Sequence, residues 1–486
     1  MSVLIDRSLL SKEDKIKITK ELTILLEKGS GSYKKTELVQ CYLTTPKTVR
    51  LPLSYAVNVL NKTNDNINHF RPEIKFIGSL REHQNQIFAD GLVYLAEYRS
   101  FTLVASTGAG KTVMGARFAC KLNCITCVLI DRKPLIGQWE KTFEEFTDGK
   151  IWIVGDEDVP DELPNIIICM NLRIGKIPEW IRKEIGLLII DEAHKFCTKK
   201  QFERMMIFNP IYMISMTATP NKPGGEFEII HKFTGDLYIK WSENKIINVH
   251  RINTPLEFSR VLNKQGNLDW PTIEEELHYH PVRNSILINL VLNNLHRKIM
   301  IFSGRKNHVD MVILALRYYG VSCDYMSGNK KSYSDSNVLV GTTSKIGYGF
   351  DEATFCSNFS GTKIDMVVIF NSYKSLIQLE QNIGRSRSSF PSIYHFVDKD
   401  SIIYRQWLEL RKFYLDPECS VRANISAATV PGDAVWPFDI TGEWVIDSKI
   451  STKKTDSAEI ISFPGDEANL NKESEKDISL DPPTKL

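Results

Sequence analysis

Phe101-Thr-Leu-Val-Ala-Ser-Thr-Gly-Ala-Gly-Lys111-Thr112 is the stretch from which the fold of this chain can be read. Phe101 to Val104 is a short apolar run of the kind that forms a buried strand. Ala105 to Gly110 interrupts it, with glycines free to take backbone angles that a Cβ forbids. From Lys111 a helical pattern continues through Met114, Ala116, Phe118 and Ala119. Strand, glycine-rich turn and Lys-Thr at a helix start is an arrangement that cradles a nucleoside triphosphate. Backbone N–H groups of Ser106, Thr107, Gly108, Ala109 and Gly110 face the phosphates, Lys111 reaches the β/γ oxygens, and the Thr112 hydroxyl is placed to ligate Mg²⁺. The leading glycine of the pattern is Ala105 here.

Working outward, strand-like runs alternate with amphipathic helical segments from residue 76 to about 249, with strands predicted at 127–130, 151–154, 166–170, 187–190 and 212–216. A second series, about 252–400, has strands predicted near 299–302, 338–341, 366–370 and 394–397, and no phosphate loop of its own. Continuous apolar runs separated by helices indicate parallel sheets covered on both faces. The predicted class is α/β, with two large domains at 78–250 and 251–400. Before them, residues 1–77 read as a small α/β domain with thirteen Lys/Arg against eight Asp/Glu. That excess suits either a module facing nucleic acid or a solvated cap on the next domain. After them, residues 401–450 read as a helical extension whose Tyr404, Trp407, Phe413, Tyr414, Trp436 and Trp444 pack back as core. Residues 451–486 mix eight acidic and five basic residues with few large apolar ones, and read as a disordered tail.

A formal charge of +2 argues against a globally basic coat for nucleic acid but permits a local groove. No signal peptide is visible in MSVLIDRSLLSKEDK, and no run of about 18 apolar residues predicts a membrane span. The nine cysteines are scattered, which suits a reducing compartment. The expected location is the cytoplasm or host-cell interior. Cys120, Cys124 and Cys127 have the spacing of iron–sulfur ligands, but they fall on a helix end and a strand start and read as small buried hydrophobes. His278 and His280 lack partner ligands nearby in sequence and read as part of a link between the domains.

Leu187-Leu-Ile-Ile-Asp191-Glu192-Ala193-His194 is a buried strand ending in two carboxylates. After a phosphate loop, Asp191 is placed to hold Mg²⁺ through water. Glu192 is placed to orient and deprotonate the attacking water. His194 is placed for a hydrogen bond to the next motif.

Asp191-Glu-Ala-His194, Met216-Thr-Ala-Thr-Pro220 and Gln381-Asn-Ile-Gly-Arg385, in that order after a phosphate loop, resemble the superfamily 2 helicases of the DEAH type. The resemblance runs from about residue 80 to 387. It implies two tandem RecA-like domains that bind ATP and Mg²⁺ between them. Leu80-Arg-Glu-His-Gln84 looks like the adenine-reading segment, with Gln84 on the base. Gln381 and Arg385 match the last motif, Arg385 acting as an arginine finger on the transferred phosphoryl group. The family carries a further arginine three positions on, where this chain has Ser388, with Arg387 one earlier. Thr217 and Thr219, with Gly349 and Asp351 of Gly341-Thr-Thr-Ser-Lys-Ile-Gly-Tyr-Gly-Phe-Asp351, match positions that couple hydrolysis to domain movement. Strand contacts carried over by motif position are Arg132, Lys133, Asn171, Arg305, Ser327, Gly328, Thr342 and Thr343.

Within the superfamily, Arg132-Lys-Pro-Leu-Ile-Gly-Gln-Trp139 looks like phage branch-migration and fork-reversal DNA helicases, the promoter-opening repair helicase subunit and the poxvirus transcript-release helicase. The resemblance implies a monomer that tracks 3′→5′ along one strand of forked or branched DNA in replication, recombination or repair. RNA displacement beside an RNA polymerase is the alternative.

Overall fold

The computed structural model describes residues 1–28, 35–64, 70, 72–105, 108–217, 228–241, 245–347, 350–373, 375–386, 388, 390–415, 421–430 and 445–446. The expected tail at 451–486 lies outside them, as do Trp436 and Trp444.

The N-terminal unit is built from β1 (Ser2–Asp6), α1 (Lys12–Glu21), the hairpin β2 (Thr23–Lys28) and β3 (Lys35–Gln40), β4 (Leu43–Thr44), β5 (Thr48–Pro52) and α2 (Leu53–Leu60). β5 lies between β1 and β4, all antiparallel. Ser11 starts α1 with a capping box, its hydroxyl accepting from the Asp14 N–H while the Asp14 carboxylate accepts from the Ser11 N–H. The unit shares a continuous apolar core with the next domain: Val3, Ile5, Leu51 and Leu53 pack in one cluster with Met205, Phe208, Ile229 and Phe233. Polar ties seal the junction, with Ser2 N–H donating to Phe208 O at 2.9 Å and the Asn64 amide donating to both Ser2 O and Pro210 O at 2.9 Å.

The first large domain follows α3 (Glu82–Tyr98). It contains β6 (Ser100–Ala105), α4 (Lys111–Leu122), β7 (Ile125–Ile130), α5 (Pro134–Phe146), β8 (Ile151–Ile153), β9 (Ile166–Met170), β10 (Ile185–Ile190), β11 (Tyr212–Thr217) and β12 (Tyr238–Trp241). The sheet order is β12-β6-β11-β10-β7-β9-β8, with every pairing parallel. Both faces are covered, so β6, β7 and β10 are buried at every residue, as their unbroken apolar runs require.

The second sheet comprises β13 (Lys245–Thr254), β14 (Ile299–Ser303), β15 (Cys323–Met326), β16 (Val338–Thr342), β17 (Met366–Ile369), β18 (Ser392–Asp398), β19 (Val421–Thr429) and β20 (Val445–Ile446). Its order is β15-β16-β14-β17-β18-β13-β19-β20, parallel except for the β19–β20 edge. These are two tandem RecA-like domains.

Three expectations are corrected. β13 runs through the expected boundary at 250, and its pairing with β18 and β19 makes it part of the second sheet. Residues 401–450 are not helical throughout: the helix Ser401–Leu415 buries Trp407 and Tyr414, but 421–429 is strand β19. Its alternation buries Ile425 while Arg422 and Asn424 point outward. His278 lies not in a link but buried in the helix Trp270–Tyr279, accepting from the Gly304 N–H at 3.0 Å. Cys120, Cys124 and Cys127 are buried, and burial pushes the Cys120 thiol up to about 11. Among the described residues no group of His, Cys, Asp or Glu is arranged to hold a metal by itself, and no helix is long and apolar enough to cross a membrane.

Candidate nucleotide site and strand groove

Apart from Leu80–Gln84, which leads into α3, the stretches singled out in the first domain leave the carboxyl ends of parallel strands, the edge where open α/β sheets bind ligands. β6 runs into the phosphate loop, where Gly108 and Gly110 take φ +92° and +80°. Gly110 is at φ +80°, where a side chain is strained, and a Cβ there would lie 2.3 Å from Gln84 Nε2 and displace that amide. The Lys111 ammonium folds across the loop and donates to Ala105 O at 2.7 Å. Thr112 is buried and its Oγ1 accepts from Gln138 Nε2 at 3.1 Å. Ser106 and Thr107 lie outside the described residues.

Gln84, expected on the adenine, is tied to backbone in this structure. It is 2% exposed, its Nε2 donates to Ala109 O at 3.0 Å, and its Oε1 accepts from Arg81 N–H at 2.9 Å. Both ends of the amide are occupied by backbone, so in this arrangement the side chain braces the phosphate loop. Beside it, the His83 ring stacks on Trp241 with centroids 4.1 Å apart.

β10 delivers Asp191 next to Asp131, which ends the adjacent β7. Asp191 Oδ2 accepts from the Trp139 indole N–H at 2.8 Å, and Oδ1 from the Glu192 N–H at 2.9 Å. Burial raises the Asp191 carboxyl above its ordinary range, against the Trp139 hydrogen bond and the Lys111 charge. Glu192 is raised too, by burial first and then by its neighbours Asp191 and Asp131, with Lys111 opposing. Its backbone is left-handed at φ +50°, and Oε2 is buried without a hydrogen bond. His194 Nδ1 lies 3.1 Å from Thr217 Oγ1, joining the carboxylate strand to the end of β11. Thr219 is outside the described residues.

The donor set fits a magnesium ion. Thr112, Asp191 and Glu192 offer only oxygens, and a hard, small cation takes oxygen ligands from one or two carboxylates plus substrate phosphates. Asp131, Asp191 and Glu192 crowd like charges here against Lys111 and, more weakly, Lys195, and a divalent cation would offset the remaining repulsion.

Across the interdomain cleft, Asp131, Arg132, Glu192 and Lys195 of the first domain line one cavity with Ser344 and Gln381 of the second. Gln381 is buried and its Oε1 has no hydrogen bond. Arg385 does not reach that cavity. Its Nη1 donates to Phe350 O at 2.6 Å and Nη2 to Gly347 O at 2.9 Å, which ties the guanidinium to its own domain. Asp351 precedes the short helix Glu352–Phe355 and accepts from Thr354 Oγ1 at 3.1 Å. Gly349 and Arg387 lie outside the described residues.

The residues expected at the strand also follow strand ends: Arg132 after β7, Asn171 after β9, Arg305 after β14, Ser327 and Gly328 after β15, and Thr342 and Thr343 at β16. They divide by burial. Lys133 and Gly328 are exposed and Arg132 and Arg305 partly so, whereas Asn171, Ser327, Thr342 and Thr343 are buried. Arg305 Nη2 donates to Pro271 O at 2.5 Å and Thr343 Oγ1 to Ser303 O at 3.3 Å, so these side chains tie their loops to the helix Trp270–Tyr279 and to the end of β14. Neither amide atom of buried Asn171 has a hydrogen bond.

Residues 77–222 match the family model described as "Type III restriction enzyme, res subunit". The chain is 25% identical to "Putative helicase 161L" of Invertebrate iridescent virus 6, over 76% of this chain and 88% of that protein. It is 22% identical to "Putative ATP-dependent RNA helicase L396" of Acanthamoeba polyphaga mimivirus, over 85% and 84%. A shorter match, 25% identical over 36% and 38%, is to "DNA 3'-5' translocase XPB2" of Sulfurisphaera tokodaii. These matches support a superfamily 2 helicase.

Two residues of the site that sequence reasoning did not assign are Gln138 and Trp139, which hold Thr112 and Asp191. A signal existed: a buried tryptophan needs an acceptor for its indole N–H. Which acceptor it finds depends on the packing of α4 against α5, which sequence spacing does not give. Asp131 was likewise unassigned, although it ends an apolar strand just as Asp191 does.

Proposed function

We propose that this chain is an ATP- and Mg²⁺-dependent helicase or translocase that moves 3′→5′ on DNA and unwinds or remodels branched substrates. The observation that carries the reading is the interdomain cavity, which sets Glu192 of the first domain against Gln381 of the second. Lys111 binds the β/γ-phosphates, and Thr112 and Asp191 hold the metal. Magnesium supplies charge neutralisation on the phosphate oxygens when bound. Glu192, whose carboxyl burial raises above its ordinary range, orients the attacking water and as the carboxylate takes its proton. Arg385 stabilises the transferred phosphoryl group after exchanging its bonds to Gly347 and Phe350 for the nucleotide. Closing and opening of the cleft then moves a strand along the carboxyl edges of the two sheets, where Arg132, Lys133 and Arg305 take backbone phosphates with little base preference.

The choice of DNA is supported by the name of the archaeal relative and opposed by that of the mimivirus relative. The second reading is therefore RNA displacement, as in transcript release beside an RNA polymerase. ATP turnover and strand displacement on single strand, linear duplex, fork, four-way junction and RNA–DNA hybrid separate them. Preferential unwinding of forks and junctions supports the first reading. Displacement of RNA alone replaces it with the second. Turnover without displacement or movement on any substrate leaves neither. In the same assay Lys111→Ala loses nucleotide binding and turnover, while Glu192→Gln keeps binding and loses turnover.

A further inference from the structure

α5 joins the segment Arg132–Lys133 to the two proposed metal ligands. Its N-cap is Lys133, with Pro134 in the first turn, so it starts at the strand-facing segment Arg132–Lys133. One turn later, adjacent side chains bond to both proposed metal ligands: Gln138 Nε2 donates to Thr112 Oγ1 at 3.1 Å, and Trp139 Nε1 donates to Asp191 Oδ2 at 2.8 Å. The indole has no freedom to choose another acceptor. Trp139 is fully buried and stacks near Phe143, with centroids 5.6 Å apart. A Cβ on Gly115 of α4 would lie 2.7 Å from its ring, so α4 sits against the indole as closely as glycine permits. Leu135, Ile136 and Phe143 pin the same face of α5 into the core, so the helix moves as one body.

We propose that Gln138 and Trp139 are positioning residues that hold Thr112 and Asp191 for Mg²⁺-nucleotide, and that α5 passes strand engagement at Arg132 and Lys133 to that site. The inference rests on the reading of Thr112 and Asp191 as metal ligands and of Arg132 and Lys133 as strand contacts. The sensitivity is geometric. Hydrogen bonds fade beyond roughly 3.2–3.5 Å, so a shift of α5 by about 1 Å along its axis releases both ligands together. Partners that orient metal ligands typically set affinity for the metal by roughly 10–100-fold.

The test uses the full chain with Trp139→Phe, which keeps a ring and loses the N–H, and Gln138→Met, which keeps the length and loses the amide. A fluorescent ADP analogue is titrated with and without Mg²⁺, and ATP turnover is followed against single-stranded DNA. Both variants should bind the analogue like wild type without Mg²⁺. The gain in affinity that Mg²⁺ brings should fall by roughly 10-fold or more, with stimulation by the strand falling alongside. Gln138 is only partly buried, so its variant keeps the test alive if Trp139→Phe does not fold. Wild-type Mg²⁺ dependence or wild-type strand stimulation in both variants overturns the proposal, as does an equal loss of affinity with and without Mg²⁺, which marks a packing defect. If the wild-type protein itself shows no Mg²⁺-dependent binding, the underlying reading of Thr112 and Asp191 fails and takes the proposal with it.

Discussion

Glu192 sits at φ +50°, in a region that residues other than glycine seldom occupy. A non-glycine residue held there costs roughly 1–3 kcal/mol, and the strain falls on the side chain proposed to activate water. Glu192→Gly removes that strain and a buried carboxylate at once. It should raise the melting temperature by about 2 °C while turnover disappears, and a fall in melting temperature on calorimetry would falsify the strain argument. Arg385 makes the opposite case, because its guanidinium holds the carbonyls of Gly347 and Phe350. Arg385→Gln should therefore lose turnover and also about 1–3 kcal/mol of stability, measured by urea unfolding. Unchanged stability would mean that those two carbonyls gain nothing from the guanidinium. Lys111, Thr112, Asp191 and Glu192 were legible in the sequence because each is tied to a local pattern of strand, loop and helix. Gln84 on Ala109, Arg385 on Gly347 and Trp139 on Asp191 were not, because each bond joins segments whose approach only packing decides.

Elements carry the next set of consequences. The N-terminal unit buries Leu51 and Leu53 against Phe208 and Phe233 in one core, which is how an obligate cap is built. Deleting residues 1–64 should uncover that apolar face and yield protein that aggregates during size-exclusion chromatography. A soluble, monodisperse product with full ATP turnover would make the unit an independent module instead. At the other end, β19 matches β13 residue for residue from Lys245↔Val421 to Asn253↔Thr429. A chain ending at residue 415 strips β13 of that partner and should fail to accumulate as folded protein. One ending at 450 should retain turnover; equal behaviour of the two would show that β19 is dispensable. The strand at 166–170 was legible to the residue because Ile-Ile-Ile-Cys-Met is an unbroken apolar run. β19 was not, because Ala423, Ser426, Ala427 and Ala428 leave its pattern too weak to distinguish from the preceding helix.

At the scale of the whole molecule, His278, His308 and His395 are buried in the second domain and His250 is half-buried there. Burial pushes His250 and His278 down to about 4, His395 to about 3 and His308 to about 2. Each is depressed below the value near 6.5 that it has in the unfolded chain, so folded protein binds fewer protons as the pH falls. Their contribution is fully present above pH 6.5 and is lost progressively as pH drops toward the folded values, several kcal/mol in total. The second domain should therefore melt markedly earlier at pH 5 than at pH 7. His308→Gln should flatten that dependence, and a melting temperature that ignores pH over this range would contradict the burial. The arrangement of strands also sets an order in time. Asn253 of β13 and Thr429 of β19 lie 176 positions apart, and β18 is likewise made long after β13. On a ribosome adding about 5–20 residues per second, β13 emerges roughly 10–35 s before its last neighbour exists. Ile247, Val249 and Ile252 are then outside the ribosome with unpaired backbone on both sides. During synthesis this strand, rather than the phosphate loop, is where the nascent chain most needs a chaperone.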